Sequence, residues 1–173
     1  MAKTIFITGG ARSGKSRLAE ELALSRGAPL LYVATGSAGD GEMAERIMRH
    51  RARRGDDWQT IEEPLDLVGV LQGHDGFFSA TLVDCVTLWL SNLLFHHAEE
   101  PAPVLAEVRR LAALLPSLGT PVILVTNEVG MGIVPDNRLA RKFRDLAGEA
   151  NEILAAAADE AWALFSGLPI RLK

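Results

Sequence analysis

Thr4-Ile5-Phe6-Ile7-Thr8-Gly9-Gly10-Ala11-Arg12-Ser13-Gly14-Lys15-Ser16 runs from an apolar stretch through a glycine-rich turn into a segment of helical period. Residues Gly9 to Ser16 match the pattern G-x-x-x-x-G-K-S/T, and they stand between a strand and a helix, the context that gives the pattern meaning. The glycines allow a tight turn with its amide N–H groups aimed inward. The helix that follows adds the positive end of its dipole, and the loop becomes a cradle for an anion. In this arrangement Lys15 reaches β- and γ-phosphates and Ser16 is placed to ligate Mg²⁺.

Outward from this stretch, short apolar runs alternate with longer segments of helical period. Strands are expected at Thr4 to Thr8, Leu30 to Ala34, Gln59 to Glu62, Ala80 to Asp84, Val122 to Thr126 and Ala161 to Phe165. Ser166 to Pro169 reads as a turn into a last strand, Ile170 to Leu172, antiparallel to its neighbour. Helices are expected from Lys15 to Ser25, Glu42 to Arg54, Val104 to Leu115 and Asn137 to Ala158, the last capped by Asp136 or Asn137. Leu88 to Phe95 suits either a buried helix or an oligomer contact. The sum is an α/β fold, a P-loop NTPase-like (RecA-like) three-layer sandwich with a mainly parallel sheet and a C-terminal antiparallel strand.

A chain of 173 residues, 48% of them hydrophobic, suits one domain over residues 1–173. With 18 basic and 22 acidic residues the net charge is −4, so bulk electrostatics call for no nucleic acid, and any anion site must be local. The apolar stretch at the amino terminus is too short for a signal peptide's core, and no run reaches the roughly 20 residues of a membrane span. A soluble, cytoplasmic protein is expected. The single cysteine, Cys85, cannot form an internal disulfide and reads as a buried strand-end residue.

Two further positions carry chemistry. Asp84 closes the run Ala80-Thr81-Leu82-Val83 and is placed either to hold the metal at the end of a neighbouring strand or simply to terminate that strand. Helical spacing puts Arg46, His50 and Arg53 or Arg54 on one face. From spacing alone His50 is either a solvated histidine or a nucleophile toward phosphorus whose neighbouring guanidinium groups stabilise phosphate charge. His74 lies in a surface turn, and His96 and His97 share no metal-ligand spacing with it.

The blocks Thr8 to Ser16, Tyr32-Val33-Ala34-Thr35, Glu42-Met43-Ala44 through His50, and Val125-Thr126-Asn127-Glu128-Val129-Gly130-Met131-Gly132-Ile133-Val134-Pro135 together resemble the bifunctional adenosylcobinamide kinase/adenosylcobinamide-phosphate guanylyltransferases of cobalamin synthesis. The likeness continues through Asn137 to Asp145 and Ala155 to Glu160. It implies that GTP or ATP phosphorylates the aminopropanol hydroxyl of adenosylcobinamide. GMP then passes from GTP to adenosylcobinamide phosphate through a GMP-histidine intermediate at the position of His50.

The resemblance places further nucleotide contacts at Ala34, Thr35 and Gly36, at Arg51, Ala52, Arg53 and Arg54, at Glu62 and at Asp84, with Ser16 and Asp84 holding Mg²⁺. At Arg51 to Arg54 this chain departs from family members that carry a stretch such as Lys-Asp-Gly-Arg. The resemblance also implies a homo-oligomer, a trimer, and a broad cleft for the bulky corrinoid. Because the two reactions attack different phosphorus atoms, the helix bearing His50 is expected to swing on the link Gly36 to Gly41. Two other readings compete on the loop alone: a small-molecule kinase that transfers only the γ-phosphoryl group, and a nucleotide-dependent switch. Neither accounts for Asn127 to Pro135.

Overall fold

A computed structural model of the chain describes residues 3–36 and 55–173. The segment from Glu42 to Arg54, with His50 and Arg51 to Arg54, lies outside the described residues, as does most of the link that precedes it. The described chain forms β1 (Thr4–Gly9), α1 (Lys15–Leu24), β2 (Leu30–Ala34), β3 (Trp58–Glu62), α2 (Leu67–Gly73), β4 (Ala80–Asp84) and α3 (Val86–His96). There follow α4 (Pro101–Leu114), a 3-10 turn (Leu115–Ser117), β5 (Val122–Val125), α5 (Arg138–Ala157), β6 (Glu160–Phe165) and β7 (Leu168–Arg171).

The strands make one seven-stranded sheet in the order β3-β2-β4-β5-β1-β6-β7. Every pairing is parallel except β6 with β7. Side chains alternate across the pleat and so build two cores. On one face Ile5, Ile7, Leu30, Tyr32, Leu82, Ile123 and Val125 bury against Ala19 and Ala23 of α1. On the other, Phe6, Leu31, Val33, Val83 and Leu124 pack with residues from the helices α2 to α5. Helices therefore cover both faces, as the alternating pattern requires.

Leu88 to Phe95 resolves in favour of the buried helix: Trp89, Leu90, Leu93 and Leu94 lie inside the chain's own core, and only Phe95, at the end, is largely exposed. Trp89 is fully buried and its Nε1 donates a 2.8 Å hydrogen bond to Leu65 O. Trp89→Ala is expected to cost about 3–5 kcal/mol, because it leaves a cavity and deprives a carbonyl of its donor. A urea unfolding curve with a lower midpoint and unchanged slope checks it.

Several boundaries differ from the sequence pattern for identifiable reasons. Helix α2 escapes periodicity because it is short and carries Gly69 and two valines; the Asp66 carboxylate starts it by accepting from Gly69 N at 3.0 Å. Helix α4 begins at Pro101, where a missing N–H costs nothing. For α5 the cap is Asn137, which accepts from Ala140 N. At the C-terminal hairpin the turn is only Ser166-Gly167, both at positive φ (52° and 82°), so β7 already includes Leu168 and Pro169. Proline is tolerated there because β7 is the sheet's edge. His74 caps α2, and beside it the Asp75 carboxylate accepts from Gly119 N and Thr120 N, which holds it below the usual carboxylate range. No described helix is long and apolar enough to cross a membrane.

Candidate functional site

The site grows from the end of β1. Gly9 passes so close to β6 that a β-carbon there would stand 2.6 Å from Leu164 O and 2.8 Å from Ser13 Oγ. Gly14, at φ 97°, gives α1 its left-handed start. The loop is braced from the C-terminal hairpin, where Gly167 N donates to Ser13 O at 3.0 Å. Lys15 is buried, and its Nζ donates to Gly10 O at 2.5 Å with Ser13 Oγ at 3.4 Å. An ammonium held over the loop in this way is positioned for the oxygens of a bound anion.

Gly9→Ala is expected to weaken nucleotide binding at least about tenfold and to destabilise the fold by roughly 1–3 kcal/mol, since backbone atoms must shift to admit the methyl group. Gly10→Ala serves as the control for folding, because nothing lies within 4 Å of a β-carbon there. Isothermal titration with a purine triphosphate and thermal unfolding of both variants make the comparison.

Ser16 Oγ donates to Asp84 Oδ2 at 2.8 Å, so the structure brings together the two residues the sequence singles out for a metal. β4 is not paired with β1, however: β5 lies between them. Asp84 comes within reach because α1, which begins with Lys15 and Ser16, crosses over β4 and β5. A hydroxyl and a carboxylate are hard oxygen donors of the kind Mg²⁺ takes alongside substrate phosphates, so the pair fits that ion. Cys85 follows Asp84; burial, and after it the Asp84 charge, pushes its thiol up to about 11, which makes it an inert core residue.

The remaining expected contacts spread along the same edge of the sheet. Glu62, Ala34, Asp84, Val125 and Ile7 stand in register across β3, β2, β4, β5 and β1. At about 4.8 Å per strand, exposed Glu62 sits roughly 10 Å from Asp84 and farther still from the phosphate loop. Ala34 is buried and Gly36 half-buried. Thr35 is fully buried, and its Oγ1 both donates to Cys85 O at 2.6 Å and accepts from Cys85 N at 2.9 Å. That side chain ties the end of β2 to the end of β4.

A second cluster escapes residue-by-residue reading. Thr87 and Thr126 hydroxyls lie 3.2 Å apart, Thr126 Oγ1 donates to Asn151 Oδ1, and Asn127 N donates to Thr87 Oγ1 at 2.7 Å. This buried polar knot anchors the start of the Asn127 to Pro135 loop. Beyond it Val129, Met131, Ile133 and Val134 are exposed. The signal for it in the sequence is the polar triplet Thr126-Asn127-Glu128 directly after an apolar strand, the same signature that marks Asp84.

Residues 5–172 match the family described as cobinamide kinase / cobinamide phosphate guanyltransferase. The chain is 46% identical to the bifunctional adenosylcobalamin biosynthesis protein CobP of Pseudomonas aeruginosa, over 97% of this chain and 96% of that protein. It is 43% identical to the bifunctional adenosylcobalamin biosynthesis protein CobU of Escherichia coli and 45% identical to that of Salmonella typhimurium, in each case over 98% of this chain and 99% of the other.

Proposed function

Because the chain belongs to the cobinamide kinase / cobinamide phosphate guanyltransferase family, we propose that it phosphorylates adenosylcobinamide with GTP or ATP and then moves GMP from GTP onto adenosylcobinamide phosphate. The observation that carries this reading is the meeting of Ser16 and Asp84 beside buried Lys15, at the mouth of the glycine loop. That set serves triphosphate chemistry and has no evident structural need.

In the first reaction the amides of Gly10 to Ser16 cradle the phosphates, and Lys15 exchanges Gly10 O for β- and γ-phosphate oxygens. Ser16 and Asp84 are the residues that would hold Mg²⁺, which when bound neutralises charge on the phosphates. In the second reaction His50 bonds to the α-phosphorus of GTP and pyrophosphate leaves. An oxygen of the substrate phosphate then attacks the same phosphorus, frees the imidazole and gives adenosylcobinamide-GDP. Arg51, Arg53 and Arg54 supply cationic contacts, and Ala52 lies among them.

Strand spacing suits Gly36 and Glu62 to the nucleoside end of the bound nucleotide rather than to its phosphates. Thr35 serves by fixing the edge on which these contacts stand. The reading includes one domain over residues 1–173, a cytoplasmic location, a homotrimer and a broad corrinoid cleft, with no nucleic-acid partner.

Mass spectrometry of adenosylcobinamide incubated with the protein, GTP and magnesium tests the reading. The corrinoid is expected to gain a phosphoryl group and then a guanylyl group. Accumulation of the phosphorylated corrinoid alone would favour the simple kinase, and hydrolysis of GTP with an unmodified corrinoid the switch.

A further inference from the structure

The Asn127 to Pro135 block, the most distinctive in the sequence, follows directly on β5. Its first residues continue β5 along β1 beyond the last regular pair: Thr126 N donates to Ile7 O at 2.9 Å and Glu128 N to Gly9 O at 3.0 Å. Between them Asn127 N turns the other way, to Thr87 Oγ1. This period of two is that of an extended strand, and it fixes Glu128 beside the first glycine of the phosphate loop. The knot of Thr87, Thr126 and Asn151 keeps the extension from slipping.

The sheet order adds weight to the position. β5 is the strand between β1, which carries the loop, and β4, which carries Asp84. A group at the C-terminal end of β5 therefore stands between the phosphate cradle and the metal-holding pair. Carboxylates within three residues of the end of a described parallel strand are Glu62, Glu63, Asp84 and Glu128. Asp84 is engaged with Ser16, and Glu62 and Glu63 stand at the end of the outermost strand. Glu128 is half-buried, and its Oε1 accepts from Gly130 N at 2.6 Å, a contact that orients the carboxylate.

We propose that Glu128 is the general base of the phosphoryl-transfer reaction. The assignment rests on the functional reading above and names a residue that reading leaves open. As the aminopropanol oxygen bonds to the γ-phosphorus, its O–H proton passes to the Glu128 carboxylate. The bond from that phosphorus to the β–γ bridging oxygen breaks, and the nucleoside diphosphate leaves with the electron pair. The second reaction has no such need. Its acceptor is a phosphate oxygen with no alcohol proton to lose, so the two activities should part when the base is removed.

The test compares wild type, Glu128→Gln and Glu128→Ala in two assays: phosphorylation of adenosylcobinamide, and covalent labelling of the protein by GTP without corrinoid. Gln retains a carbonyl oxygen for Gly130 N, so the loop's tether survives while the base is lost. Glu128→Gln is expected to lower kcat for phosphorylation about 10²–10⁴-fold. KM for the triphosphate and the extent of guanylyl labelling should stay within about threefold of wild type. Glu128→Ala should show at least the same loss of phosphorylation.

Phosphorylation unchanged in Glu128→Gln would overturn the assignment. So would parallel loss of both activities, which would mark Glu128 as a support of the loop rather than a base. A wild-type protein with neither activity would instead defeat the underlying functional reading, and the assignment with it.

Discussion

His50→Ala is expected to yield a protein that still phosphorylates adenosylcobinamide but never acquires a covalent guanylyl group from GTP. The argument is chemical. A nucleotidyl group can be parked only on a side chain that attacks phosphorus and later leaves from it, and a neutral imidazole does both where methyl cannot. Loss of a nucleophile costs covalent enzymes several orders of magnitude, so labelling should fall at least about 10³-fold. On the proposed reading the γ-phosphoryl transfer draws on the loop, Lys15, Ser16 and Asp84, none of which is altered, and its rate should stay within about threefold. Intact-protein mass spectrometry after GTP and magnesium reads the first quantity, and corrinoid phosphate formation the second. A labelled His50→Ala protein would remove this histidine from the mechanism.

Lys15→Ala should cripple both reactions at once. Its ammonium is buried at the loop, where attraction to developing phosphate charge is screened far less than in water. Removing one such preorganised group costs about 10²–10³ in kcat, and on the proposed reading both half-reactions hold their triphosphate in the same loop. Lys15→Arg is not a safe substitute, because a planar fork cannot sit where Nζ now meets Gly10 O and Ser13 Oγ. Steady-state kinetics of each half-reaction, with a far-ultraviolet spectrum to confirm folding, would check this. Beside Glu128→Gln and His50→Ala the three variants form a pattern: one loses transfer to the alcohol, one loses the guanylyl adduct, and one loses both.

Local pattern carries much of this molecule. The apolar run before Gly9, the glycines, Lys15 and Ser16 announce the loop, and the capping chemistry of Asn137 announces α5, because each is decided by residues close in sequence. Strand order is not so decided. That β5 lies between β1 and β4 depends on which apolar edges meet after several helices have been laid down, and no local window contains that information. Asp84 could thus be singled out from its place at a strand end, but its approach to Ser16 across an intervening strand could not. The position of Glu128 is hidden for the same reason: it is set by the strand beside it, where its N–H meets Gly9 O. Pro169 hides the start of β7, because proline argues against a strand everywhere except at an edge, and edges are a property of the finished sheet. The bonds of the Thr35 hydroxyl to Cys85 are likewise invisible in a local window, since they join the ends of two strands.

The bond from Gly167 to Ser13, together with the close passage of Gly9 beneath Leu164, means that the nucleotide cradle is assembled from segments far apart in the sequence. A nascent chain emerging from the ribosome holds every residue of the motif long before it holds the brace, so binding competence should arrive only after Gly167 has been made. The converse follows by mass action. A triphosphate at a hundred times its dissociation constant adds about 2.7 kcal/mol to the stability of whatever closes around it, and here that is the seam joining these distant segments. In a cell replete with nucleotide, the substrate is thereby also a guardian of the fold against proteolysis.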